Sequence, residues 1–324
     1  MMKKSVCDVF LSYVPTISES GELNSTYIVN LLLNTFSSYT AVVLNIVTIY
    51  ALSKALGFPK QLKKLLLSLA LSDLGVGLIV QPFYSTFLVL WIQRENPGCV
   101  SYRTFFVFLS VFAISSFFGV FAITFDRFLA IHLHLRYKQI VTQKRVAFSI
   151  ISLWSLSGFV AVLTFWYPHE SSHIISVIGS VCLFMTTLMY VKIYLVFRRH
   201  RIQIQQTFQV QPTDLASGSD FANFGQLRKS AVGVFYVYLV FMACYLPRGC
   251  NLFIVVVTKQ STPLKGFSLF AWTVMLLNSS INPVIYCLKM KHIRLAVMEI
   301  LRNVLRRRNS SPNCQTISGH AGRI

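Results

Sequence analysis

Apolar residues run through this chain in seven stretches, each too long and too continuous for the core of a water-soluble domain. The stretches cover residues 28–53, 63–90, 101–132, 144–166, 174–197, 230–257 and 266–288. Each is long enough to cross a hydrocarbon core of roughly 30 Å as a helix. None alternates at period two, as the strands of a membrane barrel do. The third is the longest, which implies tilt or projection beyond the bilayer. The pattern predicts an all-α membrane protein, a seven-transmembrane helix bundle over residues 28–288. Beyond Tyr286, the positions Leu288, Ile293, Leu295, Ala296, Val297, Ile300 and Leu301 recur at helical spacing among basic residues. They predict an amphipathic helix lying on the membrane surface at 289–308. An outer tail, 1–27, and a disordered tail, 309–324, flank these elements. Residues 201–227 are Gln-rich and carry Pro212, Gly218 and Gly225, so they read as a mobile loop between spans five and six.

Composition agrees with that pattern. Of 324 residues, 54% are hydrophobic and 12% charged. Soluble domains carry about 25% charged residues. The net charge of +20 would suit a nucleic-acid binder, but its distribution along the chain argues against that reading. Segments after spans one, three, five and seven hold Lys54, Lys60, Lys63, Lys64, Arg136, Lys138, Lys144, Arg145, Arg198, Arg199 and Arg201, and later Lys289, Lys291, Arg294 and Arg306–Arg308. The opposite segments hold only Lys3, Lys4, Arg94, Arg103, Lys259 and Lys265. This is the positive-inside distribution: N-terminus outside, C-terminus cytoplasmic. The basic surplus then faces anionic lipid headgroups and a cytoplasmic partner. No cleavable leader is expected, because Asp8, Ser12 and Pro15 break the first apolar run. Asn24-Ser25-Thr26 is a glycosylation sequon on the outer side.

Polar residues inside the spans carry the functional signal, because ionisable groups in a bilayer are costly. Asp73 lies mid-way along span two, Asp126-Arg127-Phe128 closes span three, and Asn282-Pro283-Val284-Ile285-Tyr286 closes span seven. Cys244-Tyr245-Leu246-Pro247 places a helix-kinking proline in span six. Each has a plainer reading. An interfacial Arg can snorkel to headgroups, a buried carboxylate can sit in a polar cluster that only glues helices, and membrane helices kink without switching.

In this order and on these helices, the motifs resemble those of rhodopsin-like G-protein-coupled receptors, an orphan member by its departures, over about residues 28–300. The resemblance implies an extracellular ligand, a heterotrimeric G protein, and arrestin and receptor kinase as further partners, in the plasma membrane. It assigns the switch to Asp126, Arg127, Phe128, Tyr190, Phe241, Tyr245, Pro247, Asn282, Pro283 and Tyr286. It implies no covalent cofactor but an allosteric sodium ion at Asp73, Ser116, Asn278, Ser279 and Asn282, with Asn45 beside them. Phe128 stands where the family has Tyr, Tyr245 where it has Trp, and Cys182 where it has a fifth-helix Pro. No Cys occurs in residues 167–173, so the usual bridge from helix three to the second outer loop is absent. Cys7 is then the candidate partner for Cys99. The short loop and missing Pro are similar to the melanocortin, lysophospholipid-cannabinoid and adenosine branches.

The resemblance also narrows the ligand. Leu109 replaces the acidic residue of amine receptors and Leu276 the lysine of opsins. Arg248 lies about eight residues from the outer end of its helix, roughly 12 Å, too deep to snorkel comfortably. It should face the bundle cavity, with Phe83, Tyr84, Ser110 and Trp272 as neighbours by family position. A planar guanidinium there suits a carboxylate or phosphate. An internal pair is the alternative. Rival classes find less support: a transporter would carry repeats or further charged pairs, and all seven His lie at span ends, in loops or in the tail, so no enzyme site is apparent.

Overall fold

The computed structural model describes residues 20–55, 58–133, 136–210, 218–258 and 261–309. The elements are α1 (Ser20–Lys54), α2 (Lys60–Ile92), α3 (Cys99–Leu133), α4 (Gln143–Trp166), α5 (Pro168–Val210), α6 (Gly218–Val257), α7 (Thr262–Lys289) and α8 (Lys291–Asn309). Among the described residues, seven helices are long and apolar enough to cross a membrane. α3 packs against α2, α4, α5 and α6, while α7 closes the bundle between α6 and α1.

Polarity in α1 is inverted relative to a soluble helix. Leu32, Phe36 and Tyr39 are exposed, whereas Asn30, Asn34, Ser37, Asn45 and Thr48 are buried. Lipid accepts apolar side chains, and polar ones bond across helices instead. Asn34 Nδ2 donates to the Gln81 carbonyl at 2.7 Å, and Asn45 Nδ2 to the Ser279 carbonyl at 2.9 Å. A π-helical turn, Val76–Val80, interrupts α2 and resets its face, so that Gln81 and Tyr84 turn inward. Gly77 lets α2 touch α1 there: a Cβ would lie 3.1 Å from that of Ala41.

Several boundaries differ from the sequence expectation. Span five begins at Pro168, leaving only Tyr167 between α4 and α5 in place of a seven-residue loop. Proline at the first helical position has a suitable φ and needs no amide partner. α5 then runs 43 residues without a break, because Cys182 stands at the site of the missing proline. α5 and α6 also extend into the stretch expected to be loop, to Val210 and from Gly218. Gln203, Gln205 and Gln206 are good helix formers, so polarity alone did not end the helix. α1 starts at Ser20, with Glu22 in its first turn, so Asn24 is an exposed residue of that helix rather than part of a tail. Residues 310–324 and Cys7 lie outside the described residues.

Cys99 is disulfide-bonded, while Cys182, Cys244, Cys250 and Cys287 are free thiols. Cys7 is the other cysteine on the expected outer side of the membrane. Peptide mapping without reductant is therefore expected to recover Cys7 and Cys99 in one linked fragment. Recovery of Cys7 as a free thiol would exclude that pairing.

Candidate functional site

Two aromatic-rich cores divide the bundle along its length. One contains Tyr190, Tyr238, Phe241, Ile285 and Tyr286, and lies toward the Asp126–Arg127 end. The other contains Tyr84, Phe87, Trp91, Phe105 and Leu109, toward the Arg248 end. Tyr245 packs against both. Its ring stacks on Phe241 at 4.1 Å, and Phe117 meets both rings edge-on at 5.3 and 6.1 Å. Tyr245 therefore joins the two ends mechanically, two residues before Pro247.

At one end, Asp126 and Arg127 are buried to 4% and 2% residual exposure. Arg127 Nε donates to Asp126 Oδ2 at 3.0 Å, and its terminal nitrogen pairs with the same oxygen. The Tyr137 hydroxyl donates to the other oxygen, Oδ1, at 2.6 Å. Burial, reinforced by the Asp126 charge, holds the Tyr137 phenol protonated well above its usual range. The carboxylate is thus held from both sides. Phe128 cannot extend this network and stacks on His132 at 5.0 Å. Tyr190 shares a hydrogen bond with Thr124 at 3.1 Å and packs on Tyr238 at 4.9 Å. Tyr286 is fully buried, with no hydrogen-bond partner for its hydroxyl. It reaches neither Arg127 nor Tyr190 in this arrangement. The sequence reading missed Tyr137 and Thr124. Tyr137 is invisible to it because it lies beyond the end of α3, past Leu133, where spacing along the helix no longer says which groups meet.

In the middle, Asp73 is fully buried. Ser116 Oγ donates to its Oδ1 at 3.1 Å and Asn282 Nδ2 to its Oδ2 at 2.8 Å. Ser279 also turns its side chain toward the carboxylate. Asn278, Asn282 and Asn45 are buried with side-chain oxygens lacking a partner. One carboxylate, two hydroxyls and spare carboxamide oxygens form an oxygen-rich donor set that fits a small hard cation. Of the four residues matched to Asp73 by resemblance, Ser116, Ser279 and Asn282 meet it, whereas both polar side-chain atoms of Asn278 are buried without a partner.

At the far end, Arg248 lies with its guanidinium over Trp272, 4.2 Å from the ring centre. Its NH1 donates to Asn251 Oδ1 at 2.8 Å, and Ser268 Oγ donates to the same oxygen at 3.2 Å. Asn251 is 1% exposed and its Nδ2 has no partner. Trp272 in turn meets Phe106 at 5.8 Å and Phe105 at 6.3 Å. Phe83 and Tyr84 both pack on Phe105. Ser110 points elsewhere, donating to Thr164 of α4 at 3.4 Å. Asn251 and Ser268 were not anticipated, although Asn251 follows Arg248 by three positions on the same helical face.

Seven helices around a buried Asp-Arg pair and a mid-bundle carboxylate define a receptor of the membrane-spanning kind. Residues 44–286 match the family described as 7 transmembrane receptor (rhodopsin family), and the chain belongs to it. It is a multi-pass membrane receptor and not an enzyme. The chain is 40% identical to adenosine receptor A2b of Gallus gallus over 99 residues, which is 31% of this chain and 28% of that receptor. It is 24% identical to adenosine receptor A3 of Ovis aries over 262 residues, 73% of this chain and 78% of that receptor. Cannabinoid receptor 1 of Taricha granulosa is 22% identical over 205 residues, 56% of this chain and 43% of that receptor. The chain thus spans under a third of the A2b receptor's length.

Proposed function

We propose that this receptor sits in the plasma membrane with its N-terminus outside and activates a heterotrimeric G protein when an extracellular ligand binds near Arg248. The observation that carries the reading is the buried Asp126–Arg127 pair, held closed by Tyr137. Opening that pair frees Arg127 to meet a cytoplasmic partner beside α5 and α6. The ligand acts through its differential affinity for the closed and open bundles. Tyr245, between the two cores, and Pro247, Pro283 and Tyr286 are the residues that repack. The tail then takes receptor kinase and arrestin. At this end the Arg248 cation lies beside Asn251 Nδ2, a buried donor with no partner, and a cation next to a donor favours a ligand bearing a carboxylate or phosphate over a neutral one. The test compares G-protein activation in cells expressing the wild type and Arg127→Ala, against acidic metabolites, lipids and peptides, with adenosine as the neutral comparator. A response lost in Arg127→Ala at equal surface expression is expected. A response retained in that variant would remove the switch.

A sodium ion at Asp73 belongs to the same reading. Such an ion would bridge α2, α3 and α7 and favour the closed bundle. Sodium chloride is expected to raise the thermal midpoint of the purified receptor by about 2–4 °C relative to choline chloride. Asp73→Asn should abolish the difference. An equal sodium effect in both proteins would place the ion elsewhere.

A further inference from the structure

One face of α1 is polar from its first turns to its middle. Thr26, Asn30, Asn34, Ser37 and Asn45 follow one another at helical spacing, so they lie on one side of the helix. Asn30, Asn34, Ser37 and Asn45 are at most 1% exposed. Glu22, one turn before Thr26, is exposed at the start of this row. Acceptors orient the carboxamides. Asn30 Nδ2 donates to the Thr26 carbonyl at 2.8 Å. Asn34 Nδ2 donates to the Gln81 carbonyl at 2.7 Å and also lies 2.8 Å from Ser85 Oγ. Asn45 Nδ2 donates to the Ala41 and Ser279 carbonyls, both at 2.9 Å. Gln81 of α2, fully buried, donates through Nε2 to Ser37 Oγ at 2.8 Å. Turning any of the three asparagine amides over would set its oxygen against a carbonyl oxygen, so their orientations are fixed. The other atom of each group, Asn30 Oδ1, Asn34 Oδ1, Asn45 Oδ1 and Gln81 Oε1, is buried without a hydrogen-bond partner among the described residues. All four spare atoms are acceptors. Leaving buried acceptors dry is unfavourable, so this face calls for an occupant that is a donor or a cation.

The row leads to Asp73. Ser37 Oγ donates to Ser280 Oγ at 3.4 Å, and Ser280 follows Ser279, whose side chain turns toward the Asp73 carboxylate. The π-helical turn of α2 lies alongside, where the Gly77 carbonyl accepts from Ser38 Oγ at 2.8 Å. α7 offers two different approaches to the carboxylate. The face that carries Ser280 also carries Thr273, and both are buried. Inward from Trp272, on the side of Arg248, come Met275 and Leu276, which pack with Leu109, Val76 and Val80 in one apolar core. A cation approaching from the Arg248 side would meet a guanidinium and then that apolar layer. Along α1 it meets neutral oxygens throughout. Such oxygens replace hydration water without holding the ion as a carboxylate does, which is the condition for passage. We propose that the seam between α1, α2 and α7, through Asn30, Asn34, Ser37 and Gln81, is the route by which a sodium ion and its water reach Asp73, separate from the ligand cavity at Arg248. This rests on the sodium reading of Asp73 given above. Ligand and ion then exchange independently, and a ligand seated at Arg248 does not block release of the ion when the bundle opens.

The full-length receptor in detergent, titrated with sodium chloride against choline chloride and followed by sodium NMR relaxation, tests the route, because relaxation reads the rate at which bound and free ions exchange. Asp73→Asn should remove the bound-ion contribution. Asn34→Leu and Gln81→Met keep the side-chain volume but delete one spare oxygen each, and either should slow exchange about tenfold or more. The sodium concentration giving half the rise in thermal midpoint should stay within about twofold of wild type in both, because a route changes rates and not the affinity of the site. The midpoint in choline chloride shows which of the two variants is folded, and one folded variant is enough. Arg248→Gln should leave the exchange rate within about twofold. Unchanged exchange in a folded Asn34→Leu or Gln81→Met would overturn the route. Faster exchange in Arg248→Gln would also overturn it, by placing the path through the ligand cavity. Weaker sodium binding without slower exchange would mean that these residues only shape the Asp73 pocket, which overturns the route as well. A wild-type signal that Asp73→Asn leaves intact would instead remove the sodium site itself, a result distinct from the other three.

Discussion

Asp126→Asn is expected to raise ligand-independent G-protein activation about tenfold. The carboxylate accepts two hydrogen bonds from Arg127 and one from Tyr137, all within a buried site. Asparagine keeps the shape but removes the charge, and charge-assisted bonds contribute roughly 1.5–3 kcal/mol each. Losing about 1.4 kcal/mol from the closed state alone shifts the closed–open balance tenfold. Tyr137→Phe removes one neutral donor, so its effect should be about fivefold. The double variant Asp126→Asn/Arg127→Ala should be silent, because the freed group is the one that signals. Nucleotide exchange in membranes at matched receptor density measures all three. Unchanged basal exchange in Asp126→Asn would mean that the pair is structural rather than a switch.

The second large effect concerns Arg248. For an anionic agonist, Arg248→Ala should lower potency about a hundredfold, since truncating one side of a buried charge pair costs about 2–5 kcal/mol. Arg248→Lys keeps the charge but loses the flat contact with Trp272 and the fork geometry, so about a tenfold loss is expected. Asn251→Ala leaves the charge in place yet removes the group that orients it, and should fall between the two. Ligand-independent exchange should be the same in all three variants. Potencies unaffected by Arg248→Ala would mean that the guanidinium serves only the packing of α6 against α7.

These effects are coupled through Tyr245. It packs on the core beneath Arg248 and on the core above Arg127, and it stacks face to face on Phe241. A bulky aromatic shared by two close-packed cores has few positions available, so displacement at one end repacks the other.

Much of this was legible in order along the chain. Seven apolar runs, the basic bias of alternate segments and the three polar motifs were enough for the bundle and the family, because lipid imposes length and polarity directly. Asp73 with Ser116, Ser279 and Asn282 was also recoverable, since each motif has a fixed place on its helix. Asn251 was within reach, one turn from Arg248. Tyr137 was not, because its partnership with Asp126 depends on how the loop after α3 folds back. The direction of Ser110 was hidden for a similar reason: its hydroxyl donates to Thr164, a contact set by how α3 packs on α4. The helical stretches past Arg199 and before Lys229 were hidden by their polarity, which does not by itself end a helix.

Spacing and hydrophobicity act locally, and they settled what crosses the membrane and which residues are too polar to face lipid. Which buried groups meet is a property of distance in space. Only the packed bundle decided that Arg127 is closed on Asp126, that Arg248 rests on Trp272 and Asn251, and that Lys64 of α2 reaches the Gln143 carbonyl at the start of α4. Each of those contacts joins groups whose helical phase the sequence specifies but whose relative height and rotation follow from the summed packing of all seven helices.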